Sequence, residues 1–248
     1  MDFETHLRHL VEQGRGLADS AAAAGLDAPV PTCPEWAVRD LVTHQSQVHR
    51  WARSYVATGR TTPPNDDDEP ADPPGDGDLL EWFRAGHDEL VTALRNAPAE
   101  LACWSFLPAP SPREFWARRQ AHETTIHRVD ADRAAGRTPV IEPALAADGI
   151  DELLHGFFAR PHGGLVSDPP RRLAVRTTDT GDAWTMTIGP DRRTTSPGAD
   201  PDADTTVTGE AAALYLLLWN RAGRDGLDID GDETLLDLWQ ERARIRWR

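Results

Sequence analysis

Glu123 and His127 stand four residues apart in Arg118-Arg119-Gln120-Ala121-His122-Glu123-Thr124-Thr125-Ile126-His127, a stretch with helical character. At about 3.6 residues per turn such positions point the same way, about 40° apart around the axis. One carboxylate and one imidazole on a single helix can therefore reach the same ion. A histidine from a second helix would complete a three-ligand site with one coordination position open, which is how a catalytic zinc is held. The stretch Trp36-Ala37-Val38-Arg39-Asp40-Leu41-Val42-Thr43-His44 offers that third ligand.

A lone Glu-x-x-x-His on a helix is far more often a solvated pair or a local hydrogen bond than a metal site. The neighbouring His122-Glu123 also invites comparison with the zinc-peptidase motif His-Glu-x-x-His. His122 and His127 are five residues apart, about 140° around the helix, and cannot share one ion. Spacing excludes that kind of peptidase.

Four amphipathic stretches must position these residues. Phe3 to Ala24 carries Phe3, Leu7, Leu10, Val11 and Leu17 near helical spacing, with Gly25 as a stop. Ala37 to Thr58 aligns Val38, Leu41, Val42, Val48 and Ala52, and Leu79 to Ala97 aligns Leu80, Phe83, Leu90 and Leu94. Arg113 to Ala135 carries Phe115, Ile126 and Val129. Four such helices predict a bundle. The connection Arg60 to Asp78 is rich in Asp, Pro and Gly and cannot bury surface, so it is expected to be an exposed, mobile crossover. An acidic lid is the functional alternative for it.

After Gly136 the pattern changes. Leu145 to Phe158 reads as a helix. Leu173 to Thr178 and Ala183 to Ile188 alternate like strands around a hairpin turn at Asp179-Thr180-Gly181-Asp182. Asp204 to Thr208 predicts a third strand, followed by helices over Glu210 to Arg221 and Asp232 to Arg246. The expected architecture is thus two domains with a boundary near 138–148. An all-α four-helix bundle occupies 1–140, and a smaller α+β domain occupies 141–248.

Composition narrows the function. The chain has 248 residues, 39% of them hydrophobic and 27% charged, which fits a soluble globular protein. No apolar run approaches the roughly 18 residues needed to cross a bilayer. The start Met1-Asp2-Phe3-Glu4-Thr5-His6 has no basic segment or apolar core like a signal peptide, so a cytoplasmic location is expected. Cys33 and Cys103 are the only cysteines, which predicts reduced thiols. All 26 basic residues are arginine, excluding a lysine Schiff base or a phosphate loop ending in Gly-Lys. A net charge of −15 argues against nucleic acid and acidic membranes as partners. An anionic small substrate stays open if arginines cluster locally.

Two histidines compete for the third ligand. Leu41, His44 and Val48 follow i, i+3 and i+7, which puts His44 on the buried stripe. His49 lies about 140° away, beside Gln45 and Arg53, and is expected on a more polar face. His44 is therefore the expected ligand. On the fourth helix Trp116, Gln120, Glu123 and His127 form one line beside the apolar stripe, where a metal site opening from a bundle core should lie.

The run Val30-Pro31-Thr32-Cys33-Pro34-Glu35-Trp36-Ala37-Val38-Arg39-Asp40-Leu41-Val42-Thr43-His44, with Val48-His49-Arg50-Trp51 after it, resembles the opening motif of the mycothiol-dependent maleylpyruvate isomerase family, a DinB-like metalloenzyme group. Arg119-Gln120-Ala121-His122-Glu123-Thr124-Thr125-Ile126-His127-Arg128-Val129-Asp130 resembles that family's second motif. The tail from Asp204 through Gly209-Glu210-Ala211 to Leu216-Leu217-Leu218-Trp219-Asn220-Arg221 is similar to its C-terminal domain, which is related to sterol-carrier folds. The resemblance covers nearly the whole chain and is specific to the superfamily rather than to one reaction.

It implies a zinc-like divalent ion held by His44, Glu123 and His127, and mycothiol, the low-molecular-weight thiol of actinobacteria, as cosubstrate. Gln45-Ser46 departs from the usual pattern of an apolar and a small residue, which leaves the ligands intact but alters the pocket floor. The family's catalytic arginine has no motif to place it. Arg84 and Arg119 are the candidates, each also readable as a plain surface charge.

The implied chemistry is physically consistent. A free thiol has a pKa of about 8.5, and metal coordination deprotonates it. The thiolate could add to an activated double bond, permit rotation and leave, giving cis–trans isomerisation. It could equally displace a leaving group, giving an S-transferase. The sequence does not separate the two. With the thiol supplied by a cosubstrate, Cys33 reads as structural. Two other classes stay open: a hydrolase using an ion-bound water, and a non-catalytic protein binding metal and an apolar ligand. The expected partners are a small-molecule substrate and the thiol, with monomer and homodimer equally compatible.

Overall fold

A computed structural model describes residues 1–65, 70–160, 164–243 and 245. The chain forms two compact units, Met1–Pro139 and Val140–Arg248. No helix among the described residues is long and apolar enough to cross a membrane.

The first unit is built from four helices, α1 (Phe3–Ala24), α2 (Val38–Thr58), α3 (Leu79–Asn96) and α4 (Pro112–Ala134). Their ends follow from local chemistry. The Asp2 side chain accepts the Thr5 N–H at 2.9 Å to start α1, and Gly59, at φ 66°, ends α2 in the left-handed conformation that glycine adopts without strain. Ser111 caps α4 by accepting the Glu114 N–H, with Pro112 in the first turn. Leu10, Leu17, Leu41, Phe83, Leu90, Leu94 and Ile126 are fully buried between the helices. Each such side chain contributes about 1.5–3 kcal/mol on burial, which is what assembles the bundle.

Helix α4 departs from its expected single apolar stripe. It is buried nearly all round, and Arg119, Gln120, His122, Glu123, Thr124, Thr125, His127, Asp130 and Asp132 go inside with Phe115, Ile126 and Val129. Contacts between α2 and α4 pair His44 with His127, His49 with Thr124, and Tyr55 with Trp116. Numbers rise along α2 as they fall along α4, so the two helices run antiparallel.

In the connection between α2 and α3, the described residues 61–65 and 70–77 are almost all exposed, and 66–69 lie outside the described residues. The end expected for the last helix at Arg246 also lies outside them.

The second unit holds a five-stranded sheet, β1 (Arg171–Thr177), β2 (Ala183–Ile188), β3 (Arg193–Pro197), β4 (Thr205–Gly209) and β5 (Asp228–Gly231), in the order β3-β2-β1-β4-β5. β1 and β2 form the expected antiparallel hairpin, its turn using Gly181 at φ 75°. β4 lies parallel to β1, and β5 pairs antiparallel with β4. Leu173, Val175, Met186, Ile188 and Val207 are buried in this unit, as are Leu214, Tyr215 and Leu217 of the apolar helix α6 (Ala211–Leu218). Helix α7 (Thr234–Arg242) docks through Trp239, whose Nε1 donates to the Leu218 carbonyl at 3.0 Å.

Two strands and one helical irregularity were not anticipated from the sequence. β3 and β5 are edge strands made mostly of polar residues, without the apolar alternation that marks a half-buried strand. The helix expected over Leu145 to Phe158 is α5 (Pro143–Asp151) followed by a π-helical turn over Glu152–Phe157. Beyond that turn the buried Arg193 guanidinium donates to the carbonyls of Phe158 at 2.7 Å and Leu165 at 2.9 Å.

Candidate metal centre

The antiparallel pairing of α2 and α4 brings His44, Glu123 and His127 together. His44 Nε2 lies 3.6 Å from Glu123 Oε1, and His127 Nε2 lies 3.3 Å from the same oxygen. One ligand atom from each residue falls within 4.8 Å of the others, a grouping that could hold a metal ion. His44 Nε2 and Glu123 Oε1 are buried without a hydrogen-bond partner. Unpartnered buried polar atoms carry a desolvation cost of about 1–3 kcal/mol each, which a bound cation relieves. Two imidazoles and one carboxylate are also a fitting donor set for a zinc-like ion.

The surroundings tune each ligand. Arg119 Nη2 donates to Glu123 Oε2 at 3.0 Å, so this oxygen is engaged while Oε1 faces the imidazoles. Burial alone would raise the Glu123 pKa. The imidazoles of His127 and His44 and the Arg119 guanidinium outweigh it and hold the carboxyl well below its usual range. Behind His127, Asp130 Oδ2 lies 3.0 Å from Nδ1. This carboxylate can hold Nδ1 as the protonated nitrogen and leave Nε2 on the side of Glu123, the outer-shell arrangement found at histidine-ligated metals. Asp130 also accepts the Thr32 hydroxyl and lies 3.9 Å from Cys33 Sγ, which joins the loop before α2 to α4.

The two histidines of α2 take up the reverse of their expected burial. His49 is fully buried, whereas the His44 side chain is 21% exposed. α2 packs on α3 as well as α4, so a second face of it turns inward. His49 stacks near Phe83 and His87, with ring centroids at 5.5 and 5.3 Å, and its Nε2 meets the Gln45 amide at 2.8 Å and Thr124 Oγ1 at 2.9 Å. His49 therefore lies one layer behind the triad, and His44 is the histidine of α2 that reaches Glu123. Gln45 and Ser46 are both completely buried, Gln45 spanning to Thr124 beside Glu123.

Of the two candidate arginines, Arg119 is buried against Glu123, while Arg84 is 44% exposed and sits 4.0 Å from Glu81. Cys33 is half-buried, and burial pushes the Cys103 thiol up in pKa. Asp130, Thr32 and Trp36 escaped notice as site residues. Asp130 carries a legible signal, its place one turn after His127, but Thr32 and Trp36 arrive only through tertiary packing.

The buried imidazoles behind the triad yield a pH expectation. Burial first, and His87 next, push the His49 pKa well below its ordinary value. Burial likewise lowers His87, against the opposing pull of the Leu10 carbonyl and Asp88. A depressed histidine pKa means that the unfolded chain binds more protons, so this stability is present above about pH 6.5 and is lost as pH falls below it. The stability difference between wild type and His87→Gln, measured by urea unfolding, should therefore shrink from pH 7 to pH 5. A difference that is flat or grows toward acid would contradict it.

A family model for the mycothiol maleylpyruvate isomerase N-terminal domain matches residues 7–132, and one for the MDMPI C-terminal domain matches residues 144–238. Among solved structures, that of the mycothiol-dependent maleylpyruvate isomerase superposes with a TM-score of 0.63 at 15% identity, covering 92% of this chain and 93% of that one. A histidine-to-alanine mutant of that isomerase gives 0.62 at 14% identity, with the same coverage of 92% and 93%. At such identities the likeness shows a shared fold. No curated protein matches the sequence. With two family models spanning both units, the chain belongs to the mycothiol maleylpyruvate isomerase family.

Proposed function

We propose that this protein is a mycothiol-dependent isomerase acting on a maleylpyruvate-like substrate, with a divalent ion, foremost zinc, held by His44, Glu123 and His127. The observation that carries the reading is the convergence of His44 Nε2 and Glu123 Oε1, buried and without hydrogen-bond partners, beside His127 Nε2. When bound there, such an ion supplies Lewis acidity and favours the deprotonated form of a thiol at its open position.

The chain's own residues prepare that site. Arg119, with the imidazoles of His127 and His44, favours the ionised form of Glu123, and it occupies the second carboxylate oxygen, which favours a one-oxygen contact to the ion. Asp130 holds His127 by Nδ1 and leaves Nε2 to bind. His44 is the most exposed of the three ligand residues, so thiol and substrate approach from its side. Cys33 is assigned a structural part, since its sulfur lies near Asp130 rather than among the ligand atoms.

Turnover of a cis-configured, electron-poor alkene by the purified protein tests this reading. Isomerisation should require added mycothiol and persist in Cys33→Ala. Thiol-dependent consumption of an electrophile without isomerisation would indicate an S-transferase. Turnover without any thiol would indicate a hydrolase, and a metal-loaded protein without turnover would indicate a binding protein.

A further inference from the structure

We propose that Trp36 is the specificity-determining wall of this site, its indole face packing against the flat, conjugated part of the electrophile. This rests on the triad being the reaction centre. The indole centroid lies 5.1 Å from that of His44 and 6.0 Å from that of His127, stacked on the latter at 25°. The other two ligand residues lie deeper than His44. Glu123 and His127 side chains are 4% and 8% exposed, and Arg119 covers Glu123 Oε2. Trp36 is half-buried and flanks His44, the one ligand residue with substantial exposure. The half of the indole that is not packed on the apolar core would meet a molecule entering beside His44.

The backbone that carries the indole is also held in place, as a wall requires. Its loop closes on itself through Val30 N–H to the Trp36 carbonyl at 2.9 Å, Trp36 N–H to the Cys33 carbonyl at 2.8 Å, and a bridge between Pro29 and Ala37. Thr32 ties the loop to Asp130, the carboxylate that also holds His127. Wall and ligand are thus mounted on one side chain. A rigid aromatic face rewards a flat π-system with offset stacking and rewards a puckered saturated chain less.

Two dicarboxylates of equal length and charge separate this from a general apolar contact. trans,trans-Muconate is flat and conjugated, adipate is saturated, and neither needs to react. Their dissociation constants are measured by calorimetry on the zinc-loaded full chain, in wild type, Trp36→Phe and Trp36→Leu, with metal content determined for each. Wild type should favour muconate by about tenfold, the scale of one aromatic stacking contact. Trp36→Phe should keep most of that preference, and Trp36→Leu should abolish it with the ion still bound. An unchanged preference in Trp36→Leu overturns the proposal, as does its absence in wild type. Loss of the ion in Trp36→Leu also overturns it, making the indole a brace for the histidines. A wild type that shows the preference but no thiol-dependent turnover would sink the isomerase reading and leave the wall standing.

Discussion

Replacing His127 by alanine is expected to strip the divalent ion from the protein while leaving the helix bundle folded. Among the described residues, His127 Nε2 is one of the three ligand atoms that come together in the proposed ion site. Loss of an outer-shell partner costs about 10–100-fold in metal affinity, and loss of a ligand should exceed that. The fold should survive because the bundle rests on its own apolar contacts, Leu10, Leu17, Leu41, Phe83 and Leu90 among them, none of which needs the imidazole. His44→Ala should behave alike. His49→Ala should keep the ion, because His49 contacts Gln45, Thr124, Phe83 and His87 rather than Glu123 or His127. Metal analysis after gel filtration, with circular dichroism for the fold, checks all three. An ion lost in His49→Ala and retained in His44→Ala would mean that the wrong histidine of α2 has been assigned.

Glu123→Gln should cost both the ion and the stability of the bundle. Arg119 and Glu123 are 1% and 4% exposed, so removing the carboxylate charge leaves a guanidinium buried without that partner. Breaking a buried pair from one side costs about 3–5 kcal/mol, much of it the uncompensated charge left behind, which is absent when both charges are removed together. The single variant should therefore unfold at markedly lower urea, and the double variant Glu123→Gln, Arg119→Met should recover much of the loss. Neither should bind the ion, since an amide oxygen is a poor substitute for the carboxylate. A double variant as unstable as the single one would show that Arg119 is held mainly by groups other than Glu123.

The sequence was most legible where a repeat of apolar positions met a clear stop. Phe3–Ala24 is an example, with Leu7, Leu10 and Leu17 at helical spacing and Gly25 behind them. The i, i+4 spacing of Glu123 and His127 was legible for the same reason, because helix geometry alone fixes it. Burial around α2 was not. His49 looks polar-facing from one helix, but α3 supplies Phe83 and His87 to cover it, and nothing in the α2 pattern shows that α3 packs on that face. The link from Thr32 to Asp130 spans 98 positions, beyond the reach of spacing arguments. β3 and β5 escaped because an edge strand is recognised by its backbone partner, and Arg193–Pro197 carries no apolar alternation to reveal one.

The open side of the proposed His44–Glu123–His127 metal site is expected to accept a thiol as thiolate. The most direct test is the absorption spectrum of the cobalt-substituted protein during titration with mycothiol. A sulfur-to-cobalt charge-transfer band should grow to one thiol per ion, and it should do so well below the thiol's own pKa of about 8.5, because the metal favours the deprotonated sulfur. The band should be absent in His127→Ala and unaffected in Cys33→Ala. A cobalt-loaded wild type whose spectrum does not respond to mycothiol at any pH would contradict the account.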